Sequence, residues 1–435
     1  MQPALLTVPI FLITVYLALT QPRIGRLRID HAKAAVMGAI LALLLIPGSS
    51  REVLSSSLEI LVRPLITISS LMIITLIAEQ AGLFDRLLRS IMSYSRGSGN
   101  RLFGLLFLTG VLAGAVFTND AAVLILTPLV CLMSRNWVGL QPLPYLFAVL
   151  NVANLVGAFV ISNPINIIVA EFFGVGFLNY VKWMILPALT AALTTFFILK
   201  AIFRREITDS RFTLKNNPAA DEPASSFLKI CTGVLALTLI ALFLGAFYGI
   251  PVWAVTAVGA LTLMVLARAK GGIQPATVLR GVGWDVLIFM VGFFIIINTL
   301  SQTGLPAIIA GAIQAIAGDQ PGPLILTTGF ISAFCSALMN NHPTAYIMAL
   351  SINEIATTPA FKELLVFAML IGGDLGPKML PIGSLAALLW FRILRNHGTY
   401  VPYTLYIKIG IPVTLSALLL SLLVLIAESA LWGTP

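Results

Sequence analysis

Three short stretches place hydrogen-bonding or ionisable groups inside otherwise apolar sequence. They are FTNDAAVLILTP (residues 117–128), MNNHPTAYIMAL (339–350) and GGDLGPKMLPIG (372–383). An ionisable residue in an apolar span is costly, and it is therefore a functional candidate by default. The carboxylate, ammonium, imidazole and carboxamide groups of these stretches suit the binding of a small polar solute and the exchange of protons.

Four ionisable residues are the candidates for proton coupling. Asp120 has no basic neighbour in sequence, so it tends to hold a proton, although it could equally cap the helix that follows. Asp374 and Lys378 are four residues apart and would share one face of an α-helix. They form either a functional pair or a salt bridge that only neutralises two buried charges. His342 matches the position of Asp120, with a hydrogen-bonded structural role as its alternative.

Carboxamides are the second chemical signal. Each Asn donates two hydrogen bonds and accepts two without demanding a charge, which favours a small neutral polyhydroxy solute. Arg would serve a dicarboxylate or phosphate better, and the predicted cavity contains none. Asn151, Asn154 and Asn298 have bridging between helices as their alternative role. The predicted substrate-binding residues are Thr118, Asn119, Asn163, Asn166, Asn340, Asn341, Thr344, Gly383 and Ser384.

The composition indicates what kind of protein holds these groups. Of 435 residues, 59% are hydrophobic and only 10% are charged, against about 25% charged in a soluble domain. The chain is therefore an integral membrane protein, and its net charge of +9 reflects membrane topology rather than nucleic-acid binding. The three cysteines have no metal-ligand spacing, and neither a P-loop nor a nucleophile–base pair is visible. We expect no enzyme, no cofactor, no metal and no ATP-driven pump within this chain.

The apolar segments predict an all-α polytopic membrane protein with about ten transmembrane helices, each of roughly 20 residues. Two further apolar segments, 102–134 and 322–350, are broken by polar residues. Broken backbone at membrane depth is tolerated only inside protein or beside a watery cavity, so we predict two re-entrant hairpins. The ten spans are 4–20, 34–47, 64–82, 145–170, 182–203, 227–247, 251–267, 284–302, 361–390 and 403–428.

The basic residues predict the orientation. With both termini outside, most of the 26 Lys and Arg residues fall in inner loops, as the positive-inside rule requires. Only Arg51, Arg63, Lys182 and Lys362 fall in outer loops. The polar linker 204–226 is then cytoplasmic and has the composition of a flexible loop.

The order of segments repeats in two halves. Residues 1–203 form the first, with hairpin 102–134 and broken span 145–170, and residues 227–435 form the second, with hairpin 322–350 and broken span 361–390. Five complete spans in each half force opposite orientations, and inverted repeats with broken helices are typical of secondary transporters. The recurring Pro-Ile of the two broken spans could alone be chance. The matching order of segments favours a true repeat.

Four stretches carry a resemblance to a known family. FTNDAAVLILTPLV, SNPINIIVAEFFGVGF, ALMNNHPTAYIMALSI and above all GGDLGPKMLPIGSLAALLW resemble the bacterial arsenite permease family (ArsB-type) of the ion transporter superfamily, over nearly the whole chain. TND and NNHPT lie where that superfamily has Ser-Asn-Thr-like hairpin tips, and NPIN and LPIG lie where its long spans break.

The resemblance implies export of arsenite and antimonite across the bacterial inner membrane in exchange for protons. It also implies that the permease can pair with a separate arsenite-stimulated ATPase subunit. Arsenite near neutral pH is the uncharged trihydroxide, which agrees with an Asn-rich lining and needs no Cys ligand. Some family members carry an Asp within ADTASLP, where this chain has ANLVGAF with Ala153 and Asn154. Coupling would then fall on Asp120 or Asp374.

Two alternatives stay open at this point. The first is a Na⁺/H⁺ antiporter or small-anion carrier of the same superfamily. The second is a channel-like or structural subunit whose transport is driven by a partner protein.

Overall fold

The computed structural model is nearly all helical. It describes residues 7–24, 27–45, 50–116, 119–153, 155–210, 213–214, 226–301, 303–318 and 320–435. The strands are two antiparallel pairs of two residues each: β1 (Arg23–Ile24) with β2 (Leu27–Arg28), and β3 (Trp137–Val138) with β4 (Thr213–Leu214). The predicted all-α membrane fold is confirmed.

The first half of the chain supplies ten helices within the described residues. They are α1 (Thr7–Thr20), α2 (His31–Leu45), α3 (Ser50–Gln80), α4 (Leu83–Ser95), α5 (Gly99–Val116), α6 (Asn119–Asn136), α7 (Leu143–Val152), α8 (Pro164–Phe173), α9 (Phe177–Ile202) and α10 (Arg204–Asp209).

The second half supplies the other ten. They are α11 (Ser226–Phe247), α12 (Val252–Lys270), α13 (Pro275–Gly281), α14 (Trp284–Ser301), α15 (Leu305–Ala317), α16 (Pro321–Met339), α17 (Asn341–Glu354), α18 (Pro359–Leu375), α19 (Leu385–Asn396) and α20 (Tyr403–Trp432).

Large apolar side chains face outward around the bundle. Leu237, Val258 and Ile308 are each more than 60% exposed, which hydrocarbon tolerates and water does not. Six described helices are long and apolar enough to cross a membrane, and α13 with α14 makes a bent pair that also passes as one span. The chain is therefore a multi-pass membrane protein. The third span begins earlier than predicted, because α3 continues back to Ser50 with Pro64 in its interior.

Both halves contain apolar segments that are divided between two described helices. In the first half α5 and α6 are separated by residues 117–118, and α7 is separated from α8 by a 3₁₀ turn at Val160–Ser162. In the second half α16 and α17 meet at Asn340, and two 3₁₀ turns, Gly376–Lys378 and Pro381–Gly383, separate α18 from α19. The repeat of the two halves and their opposite orientation stay predictions.

Small residues let α16 and α18 approach closely. A Cβ added at Gly372 would collide with the backbone of Gly329, and one at Gly376 would collide with the backbone of Ala333. Across this contact Ser336 Oγ donates to the Gly373 carbonyl at 2.8 Å. Small residues and serine hydroxyls are the usual means of joining helices in a membrane. The contact fixes the end of α18 beside the end of α16.

The start of the linker is more ordered than its composition predicts. Residues 204–209 form α10, in which Ile207 is buried, and β4 pairs with β3 of the first half. Gly99 N donates to the Ser210 carbonyl at 2.9 Å. Burial of Ile207 and these backbone hydrogen bonds outweigh the polar composition. Residues 211–212 and 215–225 lie outside the described part of the chain.

Candidate functional site

The Asp374 carboxylate is the centre of the best-formed polar cluster. It is fully buried near the end of α18. Oδ1 accepts from Asn163 Nδ2 at 2.6 Å, and Oδ2 accepts from Asn166 Nδ2 at 3.3 Å and from the Gly157 backbone N–H at 3.0 Å. Three donors of the first half thus hold one carboxylate of the second half. A buried charge needs such hydrogen bonds to remain ionised.

The break between α7 and α8 positions these donors. Asn163 is the N-cap of α8: its backbone is extended, and its Oδ1 accepts from Ile165 N at 3.3 Å, which leaves Nδ2 for Asp374. Pro164 follows as the first helical residue, where its missing N–H costs nothing. Asn166 lies in the first turn and points the same way, while its own Oδ1 has no hydrogen-bond partner in the described residues.

Gly157 is needed for its size as well as its N–H group. A Cβ there would collide with Ser162 Oγ and lie 2.5 Å from Asn166 Nδ2. The Gly157 carbonyl accepts from Tyr180 Oη at 3.2 Å, and Tyr180 is fully buried in α9. The Asp374 carboxylate on one side and the Tyr180 hydroxyl on the other therefore fix the two peptide groups that flank Gly157.

Lys378 is buried but does not pair with Asp374. Only 3% of Lys378 is exposed, and Nζ has no hydrogen-bond partner within the described residues. The α-helix ends at Leu375 and continues as the 3₁₀ turn Gly376–Lys378, whose rotation per residue differs from that of an α-helix. A spacing of four residues no longer places the two side chains together. The neutralising salt bridge is therefore absent from the described part of the chain.

The second tip is built around Asn340. Its φ of 79° and ψ of 159° lie in a region that residues other than glycine rarely adopt, so the backbone is strained at this position. Its Oδ1 accepts from His342 N at 3.2 Å and lies 3.1 Å from His342 Nδ1. Thr344 Oγ1 donates to the Asn340 carbonyl at 2.8 Å. His342 Nε2 is buried without a hydrogen-bond partner among the described residues.

Ser336 connects this tip to the Asp374 cluster. Asn340 N donates to the Ser336 carbonyl at 3.1 Å, and Ser336 Oγ donates to the carbonyl of Gly373, the residue before Asp374. The structure thus links the second tip and both broken spans. Asn341 is 8% exposed at the start of α17.

The other predicted residues have different placements. Ser384 caps α19, where its Oγ accepts from Ala387 N at 3.1 Å. Gly383 packs against the backbone of Ala337, with no space for a Cβ. Asn119 and Asp120 begin α6, but their side chains, like all of Thr118, lie outside the described structure. Their roles stay predictions.

Two of the remaining amides, Asn151 and Asn298, make hydrogen bonds within or between helices. Asn298 Nδ2 lies 3.0 Å from Ser57 Oγ and 3.1 Å from Ser56 Oγ, joining α14 to α3, so its predicted bridging role is confirmed. Asn151 instead donates to Phe147 O of its own helix. Asn154 lies outside the described residues.

Sequence reasoning missed Gly157, Tyr180 and Ser336. Gly157 lies in ANLVGAF, and a glycine inside a predicted break was the available signal. Tyr180 and Ser336 resemble ordinary helix residues, and nothing in the sequence marks them. No group of three or more His, Cys, Asp or Glu side chains arranged to hold a metal occurs in the described ranges.

Comparison with known proteins adds the family. The sequence model of a protein family, described as "Arsenical pump membrane protein" (ArsB), matches residues 6–428 of this chain. The chain belongs to this arsenical pump family. It is 33% identical over 425 residues to the arsenical pump membrane protein of Escherichia coli strain K12, which covers 96% of this chain and 97% of that one. A putative arsenical pump membrane protein of Bacillus subtilis is 26% identical, covering 80% of this chain and 84% of its own length. The arsenical pump described here is therefore a membrane transporter for arsenical efflux.

Two solved transporters share the fold of this arsenical pump. YdaH of Alcanivorax borkumensis superposes with a TM-score of 0.63 at 16% identity, covering 100% of both chains. MtrF of Neisseria gonorrhoeae superposes with a TM-score of 0.60 at 12% identity, covering 98% of this chain and 94% of the other. At such identities the likeness concerns the fold alone.

Proposed function

We propose that this arsenical pump exports arsenite and antimonite as neutral trihydroxides in exchange for protons, by alternating access. One observation carries the proposal: the Asp374 carboxylate of one half is held by Asn163, Asn166 and Gly157 of the other. A change in the protonation of one residue then changes the hydrogen bonds between two halves that must move relative to each other.

The exchange follows from competition at one carboxylate. Ionised Asp374 accepts hydrogen bonds, so a trihydroxide can donate a hydroxyl to it while Asn163 or Asn166 donates to the solute oxygen. Protonated Asp374 has lost that acceptor strength and offers its own O–H to the same space. Proton uptake on the acidic outer side therefore favours release of the solute, and proton loss to the cytoplasm favours its binding.

The lining suits a neutral cargo. Asn166 Oδ1 is a buried acceptor with no partner in the described residues, and a solute hydroxyl can satisfy it. The polar surface is extended from the two hairpins by Asn340, Asn341, Thr344 and the first-tip residues. Gly383 has no side chain, so its backbone lies close to this surface. A dianion would need an Arg fork, and the residues that contact Asp374 include none.

The predicted orientation completes the proposal. The basic bias of the loops places both termini outside the bacterial inner membrane and residues 204–226 in the cytoplasm. Pairing with a separate ATPase stays a prediction. The proton gradient alone drives transport in this proposal.

The test is arsenite transport by purified protein in proteoliposomes with an imposed pH gradient. Wild type is expected to move radiolabelled arsenite uphill without Na⁺ or ATP, and Asp374→Asn is expected to abolish the uphill component. Asp85→Asn on α4, where Asp85 is exposed, makes the same chemical change away from the site. Transport that requires Na⁺ would favour the antiporter alternative. Failure of uphill transport without a partner would favour the channel-like subunit.

A further inference from the structure

A cavity lies among α3, α8, α14 and α17. It leaves about 40 Å³ for the centres of water-sized molecules, and about 10–15 Å³ is enough for one water. Its walls come from α3, α8, α14 and α17, through Ile60, Ile168, Phe294 and Tyr346 among others. None of the predicted substrate-binding residues lines it.

The helix directions place this cavity on a path from the Asp374 site. Helix α8 begins at Pro164 beside that site, and α17 begins at Asn341 at the second tip. Ile168 and Tyr346 lie four and five residues after those starts, which at 1.5 Å per residue is about 6–8 Å along each helix. The cavity thus lies about one turn along α8 from the Asp374 site and about one turn along α17 from the second tip.

Tyr346 and Asn298 are the polar residues that line the cavity. Asn298 is already hydrogen-bonded to the serines of α3, so Tyr346 is the residue that could bind a solute. It is 2% exposed, and its hydroxyl has no hydrogen-bond partner in the part of the chain described. Its ring packs edge-on against Phe294 at 5.1 Å, which fixes the ring. Buried hydroxyls almost always have partners because leaving one unpaired is costly. The remaining walls are largely apolar, so the cavity accepts a hydrogen-bonding solute only if that solute is uncharged.

An ion pair joins two of the walls one helical turn away from the cavity residues. Arg63 Nη1 lies 2.9 Å from Glu171 Oε1, with the two side chains 62% and 35% exposed. Ile60 precedes Arg63 by three residues on α3, and Ile168 precedes Glu171 by three on α8, so each pair shares one helix face. The ion pair therefore connects α3 to α8 at one rim of the cavity.

We propose that this cavity is a second binding site for the neutral trihydroxide, between the Asp374 site and the outer face. The Tyr346 hydroxyl binds the solute there, and the Arg63–Glu171 pair closes the rim. The proposal rests on the proposed function and adds a site to it. A solute released from Asp374 would stop at Tyr346 before the rim opens.

Equilibrium binding of radiolabelled arsenite to the full-length protein in detergent tests the second site. Wild type is expected to bind two arsenite molecules per chain, and Tyr346→Phe, which removes one oxygen, to weaken one of the two sites about fivefold. Asp374→Asn should lose the other site and keep this one. Tyr248→Phe is the matched control, because Tyr248 is 83% exposed.

If Tyr346→Phe fails to fold, a second variant tests the same site. Ile60→Phe fills the cavity and leaves the Tyr346 hydroxyl in place, and it is expected to eliminate the second site. One arsenite per chain in wild type, or a Tyr346→Phe curve that superimposes on that of wild type, would overturn the second site and leave the proposed function intact. No arsenite bound by wild type would overturn both proposals.

Discussion

Asn163 Nδ2 lies 2.6 Å from Asp374 Oδ1, although the two residues are 211 positions apart. The same Asn163 caps α8 with its other side-chain atom. One carboxamide therefore fixes the start of a half-helix and the carboxylate of the opposite half at once. Any change in the charge of Asp374 therefore acts directly on the N-terminal end of α8.

The two functions of Asn163 can be separated by substitution. Asn163→Ser keeps an oxygen that caps a helix well but removes the donor to Asp374. Loss of a donor disfavours the ionised carboxylate, so a more alkaline pH is needed to deprotonate it. The pH of half-maximal arsenite exchange should rise by about one unit, as measured in proteoliposomes across a pH series.

Asn163→Ala is the companion variant. It removes both the cap and the donor, so it should shift the pH profile in the same direction and also destabilise the protein by about 1 kcal/mol. The loss is measured by thermal unfolding in detergent. An unshifted pH profile in both variants would argue against Asp374 as the coupling carboxylate.

Gly157→Ala should disrupt the site by steric exclusion. The added Cβ collides with Ser162 Oγ and crowds Asn166 Nδ2, so the donors to Asp374 must move. Overpacking of this kind costs about 1–3 kcal/mol, and arsenite exchange should fall at least tenfold. Gly104→Ala in α5 is the control because nothing lies within 4 Å of its Cβ. Equal activity of the two variants would contradict the assigned geometry.

Lys378→Met tests the buried ammonium. Its Nζ has no hydrogen-bond partner in the described residues, and an uncompensated buried charge destabilises the folded state. The substitution should maintain or raise the unfolding temperature while it lowers proton-driven arsenite exchange. A fall of several degrees in unfolding temperature would instead indicate that a carboxylate stabilises the ammonium, either Asp374 through space or Asp120, whose side chain lies outside the described structure.

The Arg63–Glu171 pair should affect the opening of the cavity rim more than the stability of the folded protein. Both side chains are partly exposed, so their coupling is expected to be only about 0.2–1 kcal/mol. Glu171→Gln should increase passive arsenite leak in the absence of a pH gradient. The exchanged pair Arg63→Glu with Glu171→Arg should restore low leak. A double variant as leaky as Glu171→Gln would exclude a role for the ion pair at the rim.

The spans and breaks were predictable because each is a local property of the chain. A bilayer sets the length of an apolar helix, and Pro164, Asn340 and Pro381 lie among further polar residues or glycines that mark a break. A proline alone does not, since α3 continues through Pro64. The helical start of the linker was not predictable, since α10 depends on burial of Ile207 against the first half. Composition alone does not show such a tertiary contact.

The candidate residues were predictable as types but not as partners. Asp374, Asn163 and Asn166 are conspicuous in apolar sequence, yet only the fold brings them together across two halves. The spacing of Asp374 and Lys378 suggested a helical pair, but the helix ends between them at Leu375. Gly157 acts through its backbone, so its residue type marks the break but not the carboxylate that its N–H group contacts.

The position of Asp374 also matters for biogenesis. The chain is synthesised from its N-terminus, so Asn163, Asn166 and the Gly157 amide enter the membrane long before their acceptor has been translated. Until α18 is inserted, the first half carries three polar donors without the carboxylate that satisfies them. Docking of the second half therefore completes the folding of the first. Neither half expressed alone should reach its native conformation, and a nascent chain that stalls before Asp374 should be a substrate for membrane quality control.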